Sequence, residues 1–312
     1  MGADAELWRG LAALGSRYGA GAPVPLSQRP DGLVVGVGRV VVKAHPDGTD
    51  PGLLARRLRV AVASPELLLA PLPLPDGALT GEVADRVVTV WPAGQPVDPD
   101  DPAAAPWEAA ARLLAGLHTA PVPAGTPPHG APARLTRALT RLDRYAGDVP
   151  EAGTVRAAYR SLPGWVRGEA PAPAGRPYGL VHGDWHLGQL VQVAASGWRL
   201  VDVDDLGGGD PVWDLARPAA WYATGLMPAP AWRRFVDSYR ADGGPALPRH
   251  GDPWDATLDA VARALTVQIG ALAVVAAVRQ RRGLDEVERS VLDSCRRIAA
   301  ESGAVTSPVD VT

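Results

Sequence analysis

The side chains best suited to chemistry lie in a polar segment from His182 to Gln189 and in the acidic segments that follow it. These segments read His-Gly-Asp-Trp-His-Leu-Gly-Gln at 182–189, Asp-Val-Asp-Asp at 202–205, Gly-Asp-Pro at 209–211 and Asp-Leu-Ala at 214–216. Phosphoryl transfer needs a carboxylate that orients the acceptor hydroxyl and takes its proton, and oxygen ligands for the metal on the phosphates. Asp184 can supply the first group, and Gln189 and Asp202 can supply the second.

A hairpin is predicted between Gln189 and Asp202, from the apolar runs at 190–193 and 198–202. The two ends of a hairpin lie side by side, so this element would bring the two candidate metal ligands together.

The second chemical signal is Lys43, the one lysine in a chain with 30 arginines and no asparagine. A GC-rich genome produces such a composition, and under that bias most surface roles of lysine pass to arginine. A lysine that persists indicates a site that needs a compact ammonium group, which arginine does not replace. A surface lysine retained by chance is the alternative.

The segment at 182–216 resembles the catalytic segment of the aminoglycoside phosphotransferase family, including its choline kinase and maltokinase-like relatives, which share a protein-kinase-like fold. The resemblance implies that Asp184 is the catalytic base, that Gln189 replaces the family's usual asparagine ligand, and that Asp202 is the metal-binding aspartate. It also implies that Lys43 holds the phosphates of ATP or GTP and that the metal is Mg²⁺.

The same resemblance locates the rest of the nucleotide site. The strand that ends near Val90 and Trp91 corresponds to the hinge whose backbone meets the nucleotide base. Ser27, in the proline- and glycine-rich stretch 23–32 predicted as a loop, corresponds to the phosphate-covering loop. The helix after Lys43 has no acid at 53–59, although the family places there the glutamate that pairs with the lysine. Asp202 is the suggested partner of Lys43, and a remodelled site is the alternative.

The acceptor is expected near Asp184, where acidic and aromatic residues would suit a cationic or sugar compound. Asp204 and Asp205 are either carboxylates that face a cationic acceptor or solvated turn residues. Trp221 and Tyr222 are candidates for acceptor contacts, with core packing as the alternative.

Three further polar residues have predicted structural roles. His182 is interpreted as a structural residue under the loop. Asp210 is expected to brace a buried turn, and Asp214 is expected to lie at the start of a helix.

Strand patterns concentrate in the first 91 residues, and helical patterns dominate after them. Hairpin strands are predicted at 33–37 and 40–43, a helix capped by Asp50 follows, and a further strand covers 86–91. The predicted fold is α+β and two-lobed, with a small β-rich N-terminal lobe at 1–93 and a larger helical C-terminal lobe at 94–312.

Composition and charge limit the classes of protein to which this chain can belong. A net charge of −3 argues against a nucleic-acid binder, and the absence of a visible secretory signal makes the cytoplasm the expected location. The apolar stretch 264–278 is shorter than a membrane span and carries Gln268, so a buried helix and no membrane partner are expected. The single cysteine, Cys295, has no partner for an intramolecular disulfide. A monomer or homodimer is expected.

These patterns together predict a kinase that phosphorylates a hydroxyl of a small molecule, such as an aminoglycoside, another sugar-bearing antibiotic or a sugar. Two alternatives remain open from the residues. A non-catalytic nucleotide-binding protein would explain Gln189 and the acid-free helix. A metal-dependent hydrolase would use the alternating residues His182, Asp184 and His186 as ligands.

Overall fold

The computed structural model describes residues 2–29, 32–101, 104–194 and 197–304. The chain divides into two compact units. The first, here called the sheet unit, comprises Met1–Leu113, Pro121–Pro128 and Leu187–Gly207. The second, called the helical unit, comprises Leu114–Ala120, His129–His186 and Gly208–Thr312. The division falls inside helix α3, Trp107–Thr119.

An antiparallel five-stranded sheet in the order β1-β2-β3-β5-β4 forms most of the sheet unit. Its strands are β1 Pro23–Arg29, β2 Gly32–Val37, β3 Val40–Ala44, β4 Gly81–Val83 and β5 Arg86–Pro92. Alternate valines of β2, β3 and β5 point to one face, where they pack with leucines of helix α1, Gly2–Gly15. The predicted hairpin and the strand at 86–91 are confirmed.

Strand β1 differs from the prediction of a loop at 23–32. Pro23–Arg29 pairs with β2, with an irregularity in register between Pro25 and Ser27. Proline lacks a donor N–H, but an edge strand needs hydrogen bonds on one side only, so it accepts proline where a central strand does not. The prediction was wrong because it weighed the prolines without the edge position. Residues 30 and 31 lie outside the described residues.

A second sheet of three strands, in the order β6-β8-β9, completes the sheet unit together with helix α2, Pro51–Ala63. The strands are β6 Gln95–Pro96, β8 Leu190–Val193 and β9 Gly197–Leu200. The predicted cap of α2 is confirmed, since Asp50 accepts hydrogen bonds from the backbone N–H groups of Gly52 and Leu53.

Six helices and two short strands make up the rest of the helical unit. The helices are α4 Ala131–Ala146, α5 Pro150–Ser161, α6 Val212–Ala223, α7 Ala229–Ala241, α8 Ala256–Gln280 and α9 Glu286–Ala304. The strands β7 Gly179–Val181 and β10 Gly207–Gly209 pair with each other. The predicted α+β organisation, with a β-sheet N-terminal region and a helical C-terminal region, is confirmed.

Helix α8 is the centre of the helical unit's core. It packs with α4, α5 and α9, and apolar side chains such as Val267, Ala271 and Val274 are buried along it. The expectation that this stretch is too short for a membrane span was wrong, because α8 has 25 residues. The length and composition of α8 would suffice for a membrane span. However, 61% of its most apolar window is buried inside the structure, and a core helix passes the same test. The prediction of a buried helix is confirmed.

The buried Cys295 of α9 provides a probe of this core. The thiol lies against Gly270 of α8, where an added Cβ atom would meet the sulfur at 3.0 Å. Burial raises the pKa of Cys295 to about 12, and the thiolate is the reactive form. We expect Ellman's reagent to leave the native protein unlabelled at neutral pH and to label one thiol per chain in strong denaturant. Rapid labelling of the native protein would show that α8 and α9 are not packed this way.

Candidate active site

Gln189 and Asp202 lie at the two ends of the β8–β9 hairpin, as the sequence predicts. The backbone N–H of Val201 donates to the carbonyl of Gln189 at 2.9 Å, and the Gln189 amide nitrogen donates to the Asp202 carboxylate at 3.3 Å. Asp202 has a φ of +65°, a left-handed conformation that is uncommon for a residue other than glycine. Such strain tends to be kept where a side chain must be held at a functional position.

These two side chains fit a divalent metal by their donor type. The Asp202 carboxylate and the Gln189 amide oxygen are hard oxygen donors, which Mg²⁺ prefers. The Asp202 side chain is 37% exposed, so a hydrated metal on nucleotide phosphates could approach it. Their roles as metal ligands stay a prediction.

Lys43 is held by two carboxylates of the same unit. Its ammonium nitrogen lies 2.7 Å from Asp202 and 2.9 Å from Asp204. Burial alone would lower the pKa of Lys43, but the two carboxylates hold the pKa above its ordinary value. The suggested pairing of Lys43 with Asp202 is confirmed, and Asp204 supplies a second acid that the sequence analysis did not assign to it.

Asp204 is not a solvated turn residue, because its carboxylate is engaged by two side chains of the same unit; an acceptor contact by Asp204 stays a prediction. It contacts Lys43 and also His45, whose Nδ1 lies 3.1 Å from it. Burial would raise the pKa of Asp204, but the charges of Lys43 and His45 and their hydrogen bonds hold the pKa well below its ordinary value. Asp205, the next residue, is buried.

A chain of hydrogen bonds continues from Asp204 to the strand predicted as the hinge. The Nε2 atom of His45 lies 2.8 Å from the hydroxyl of Thr89, and the indole N–H of Trp91 donates to the same hydroxyl at 2.8 Å. His45 and Thr89 are fully buried, so these contacts fix their rotamers. This chain orients the carboxylate that holds Lys43.

Helix α2 supports the turn at 203–205 through a basic side chain, Arg57, rather than through an acidic one. The Arg57 guanidinium donates to the backbone carbonyl of Leu206 at 2.8 Å and also to that of Asp204. The acid-free helix noted in the sequence therefore holds the backbone of the segment that carries the paired acids.

The remaining predicted nucleotide contacts lie in the first sheet. Val90 is buried in β5, and its carbonyl accepts the N–H of Leu72 at 2.8 Å. Trp91 is also buried, and Ser27 lies in β1 opposite Val34. Contacts of Val90, Trp91 and Ser27 with a nucleotide stay predictions.

In the helical unit, Asp214 braces the segment that carries Asp184. Its fully buried carboxylate accepts the backbone N–H groups of His182 at 2.6 Å and Gly183 at 2.8 Å. Gly183 has a φ of +84°, which favours glycine at this turn. Asp214 lies in the first turn of α6, as predicted, and it also braces the Asp184 loop. Asp210 braces the turn before α6, as predicted: its buried carboxylate pairs with Arg176 at 2.8 Å and accepts the backbone N–H of Val212 at 3.0 Å.

Asp214 is itself held by a second buried network. His118 Nε2 lies 3.0 Å from its carboxylate, and His118 Nδ1 lies 2.7 Å from the hydroxyl of Tyr239. Burial would raise the pKa of Asp214, but the hydrogen bond and charge of His118 hold the pKa below its ordinary value. His182 is fully buried, in agreement with a structural role.

The carboxylate of Asp184 lies between two arginines. Arg134 of α4 lies 2.8 Å from one oxygen, and Arg217 of α6 lies 3.2 Å from the other. Neither arginine was predicted from the sequence as a site residue. Arg217 stands three residues after Asp214, so it lies on the same side of α6 one turn later, and that spacing was the signal available for it.

The predicted aromatic contacts lie elsewhere in the helical unit. Tyr222 stacks on Trp232 with ring centroids 5.3 Å apart and lines a groove of about 340 Å³ with Trp254, Asp237 and Asp252. Trp221 does not line this groove or the cavity beside Asp184. Acceptor contacts by Trp221 and Tyr222 stay predictions.

Comparison with known proteins decides the family. Residues 33–254, more than two thirds of the chain, match the sequence model of the phosphotransferase enzyme family. The chain belongs to this family. It is a small-molecule phosphotransferase, as the resemblance of the segment 182–216 implied. A search of curated protein sequences finds no significant match.

Solved structures of phosphotransferases share the fold. An amicoumacin kinase in complex with AMP-PNP and Ca²⁺ superposes with a TM-score of 0.64 at 16% identity, covering 89% of this chain and 88% of that one. A thermostable mutant of an aminoglycoside phosphotransferase gives 0.63 at 15% identity, covering 94% and 99%. A choline/ethanolamine kinase family protein from Mesorhizobium loti gives 0.55 at 17% identity, covering 98% and 96%. The predicted kinase-like fold is confirmed.

The hydrolase alternative finds no support in the site. Across residues 2–29, 32–101, 104–194 and 197–304, no group of three His, Cys, Asp or Glu side chains is arranged to hold a metal ion. Asp184, the middle residue of the proposed ligand set, is engaged by arginines instead.

Removing Asp204, one of the two acids that contact Lys43, tests whether this cluster contributes to nucleotide binding. Asp204→Asn should raise the nucleotide KM about tenfold, because a charge-assisted hydrogen bond contributes about 1.5–3 kcal/mol. Lys43→Ala should raise it further or abolish turnover. Exposed Glu82 of β4 provides the control, and Glu82→Gln should leave the kinetics unchanged.

The lowered pKa of Asp204 also determines how the free energy of unfolding changes with pH. Its contribution to the free energy of unfolding is present above pH ~4, the ordinary pKa of aspartate, and declines as the pH falls through the lower native value. The stability difference between wild type and Asp204→Asn, measured by urea unfolding, should therefore shrink in acid. A difference that grows in acid would contradict the ion pair.

Asp214 tests the bracing of the Asp184 segment. Asp214→Ala removes a buried acceptor of three hydrogen bonds and should lower the free energy of unfolding by ~3–5 kcal/mol. Asp214→Asn keeps one acceptor oxygen and should lower it less, but it should reduce kcat because the loop loses one of its two anchored N–H groups. Asp210→Asn is the control, with a smaller effect on kcat. Equal kcat values for Asp214→Asn and wild type would remove the bracing role.

Proposed function

We propose that this chain transfers the γ-phosphate of ATP or GTP to a hydroxyl group of a small molecule. The observation that carries the proposal is the cluster of Lys43, Asp202 and Gln189. The one lysine of the chain contacts the aspartate at the end of the β8–β9 hairpin, and that aspartate also contacts the amide side chain at the hairpin's other end. A cation for phosphate beside oxygen ligands for a metal is the donor side of a phosphotransferase.

Gln189 and Asp202 would hold Mg²⁺, which would neutralise charge on the nucleotide phosphates. Lys43 would contact the phosphates as a compact point charge. Asp204 would orient the Lys43 ammonium, and His45 would hold the Asp204 carboxylate. The amicoumacin kinase with AMP-PNP and Ca²⁺ supports a nucleotide donor and a divalent cation.

Asp184 would accept the proton of the acceptor hydroxyl. The hydroxyl oxygen forms a bond to the γ-phosphorus, the bond from that phosphorus to the bridging oxygen breaks, and the nucleoside diphosphate leaves with the electron pair. The proton moves from the hydroxyl to a carboxylate oxygen of Asp184. The backbone held by Asp214 keeps that carboxylate in place during the step.

The acceptors that fit the family and its structural neighbours are sugar-bearing compounds, antibiotics among them, and sugars. Action in the cytoplasm on a small molecule, as a monomer or homodimer, is part of the proposal.

The decisive experiment measures nucleoside diphosphate release with and without acceptor panels, in the presence of Mg²⁺. Asp184→Asn should lower acceptor-dependent kcat by roughly 10²–10⁴-fold, the usual contribution of a general base, with little change in nucleotide binding. Asp242→Asn at the exposed end of α7 is the matched control. Thermal unfolding verifies that each variant is folded.

Two outcomes would overturn the proposal. Full acceptor-dependent activity in Asp184→Asn would remove the assigned base. Nucleotide binding by wild type, with no phosphate transfer to any acceptor class, would favour the non-catalytic alternative.

A further inference from the structure

The charged side chains around Asp184 bear on the class of acceptor, an inference that rests on the function proposed above. Arg134 and Arg217 each contact a different oxygen of the Asp184 carboxylate, at 2.8 and 3.2 Å. Each guanidinium occupies a lone pair of one Asp184 oxygen and competes with an acceptor hydroxyl for that oxygen. Movement of the arginines onto another anion would free both oxygens of Asp184 to accept a proton.

The two arginines are held at this position by the fold. Arg217 is on α6, and its Nε also donates to the backbone carbonyl of Trp185 at 3.3 Å. Its side chain is 16% exposed, and that of Arg134 is 28% exposed. Both side chains are therefore partly buried in the cavity wall.

Two cations and one anion line the cavity beside Asp184. They are Arg134, Arg217 and Asp184 itself. Burial lowers the pKa of Arg217, Asp184 opposes that effect, and the neighbouring Arg134 adds to it. Two guanidinium groups therefore face this partly buried cavity, where they would stabilise an anion that enters it.

The rest of the cavity wall is apolar or neutral. It includes the indoles of Trp185 and Trp213, the side chain of Leu265 and the amide of Gln268. The free volume is about 20 Å³, room for one water molecule. A ligand that enters must therefore displace the guanidinium groups from Asp184 rather than bind beside them.

We propose that the acceptor is a hydroxyl compound that also carries an oxyanion, a carboxylate or a phosphate, and that Arg134 and Arg217 bind this group. A guanidinium pairs with such a planar or tetrahedral oxyanion through two parallel hydrogen bonds. The acceptor's anion replaces Asp184 as the partner of the arginines, which leaves the Asp184 carboxylate available for the hydroxyl proton. A polycationic acceptor meets repulsion from the same two side chains.

The test compares acceptors that share a scaffold and differ in charge. One set consists of glucose, glucosamine, glucuronate and glucose 6-phosphate, and a three-carbon set consists of glycerol, aminopropanol, glycerate and glycerol phosphate. Acceptor-dependent kcat/KM should be highest for an anionic member and lowest for the cationic member of any set that is phosphorylated. The carboxylate and phosphate members separate the two sources of the oxyanion. A set in which the neutral or cationic member is preferred overturns the proposal.

Two arginine variants test whether Arg134 and Arg217 cause the preference for an anionic acceptor. Arg217→Gln and Arg134→Gln should lower kcat/KM for the anionic acceptor about tenfold or more, through acceptor KM, while nucleotide KM stays near the wild-type value. Arg217→Lys keeps the charge without the two-pronged geometry and should recover part of the loss, which guards against a folding defect in the glutamine variant. Arg141→Gln, exposed on the same helix as Arg134, is the matched control.

If the arginines instead contact the transferred phosphoryl group, their variants will lower kcat equally for every acceptor or raise nucleotide KM. Either result overturns the proposal.

A binding experiment without turnover separates this inference from the proposed function. With AMP-PNP and Mg²⁺ saturating, malonate and inorganic phosphate should raise the Tm of wild type more than that of either glutamine variant. Equal shifts in wild type and variants overturn the oxyanion site even if phosphate transfer is observed. A shift that depends on the arginines, without transfer to any acceptor, sustains the oxyanion site and counts against the proposed function alone.

Discussion

The contact of Lys43 with Asp202 and Asp204 is the interaction around which the polar groups of the sheet unit are arranged. It joins strand β3 to the segment that follows the β8–β9 hairpin, 159 and 161 residues away in sequence. The partly buried ammonium donates a hydrogen bond to each of the two carboxylates, and loss of either acid would leave one of these donors without that partner. The left-handed backbone of Asp202, the hydrogen bonds of His45 and the guanidinium of Arg57 all serve to place those two acids.

Four acidic groups of the polar segments have cationic or polar partners that limit what each carboxylate can do. Asp202 and Asp204 face Lys43, Asp214 faces His118 and two backbone N–H groups, and Asp184 faces two arginines. The first two arrangements position side chains and need not change during a reaction. The arrangement at Asp184 is different, because we propose Asp184 as the base and a base must be available to its substrate. The arginines there would then bear on which substrate can enter.

Membership of the phosphotransferase enzyme family accounts for the overall architecture, and the departures from the family pattern have local explanations in the structure. The helix after Lys43 has no acid at 53–59, and Lys43 contacts Asp202 and Asp204 instead. The same helix uses Arg57 to hold the backbone of that turn. Gln189 reaches Asp202 with its longer side chain, so the amide function is kept at the end of the hairpin.

The sequence by itself determined the elements whose signals are local. Valine alternation predicted β2, β3 and β5, the pairing of Gln189 with Asp202 followed from a short hairpin, and the one lysine in an arginine-rich chain pointed to Lys43. Hydrogen-bond ladders and side-chain periodicity act over a few residues, so they can be read from a few residues. Only the tertiary structure decided that Asp204 pairs with Lys43, that Asp214 braces the Asp184 loop, that Pro23–Arg29 is an edge strand, and that arginines flank Asp184. Those outcomes depend on which distant segments meet, because an ion pair is set by the distance between charges and not by their separation along the chain.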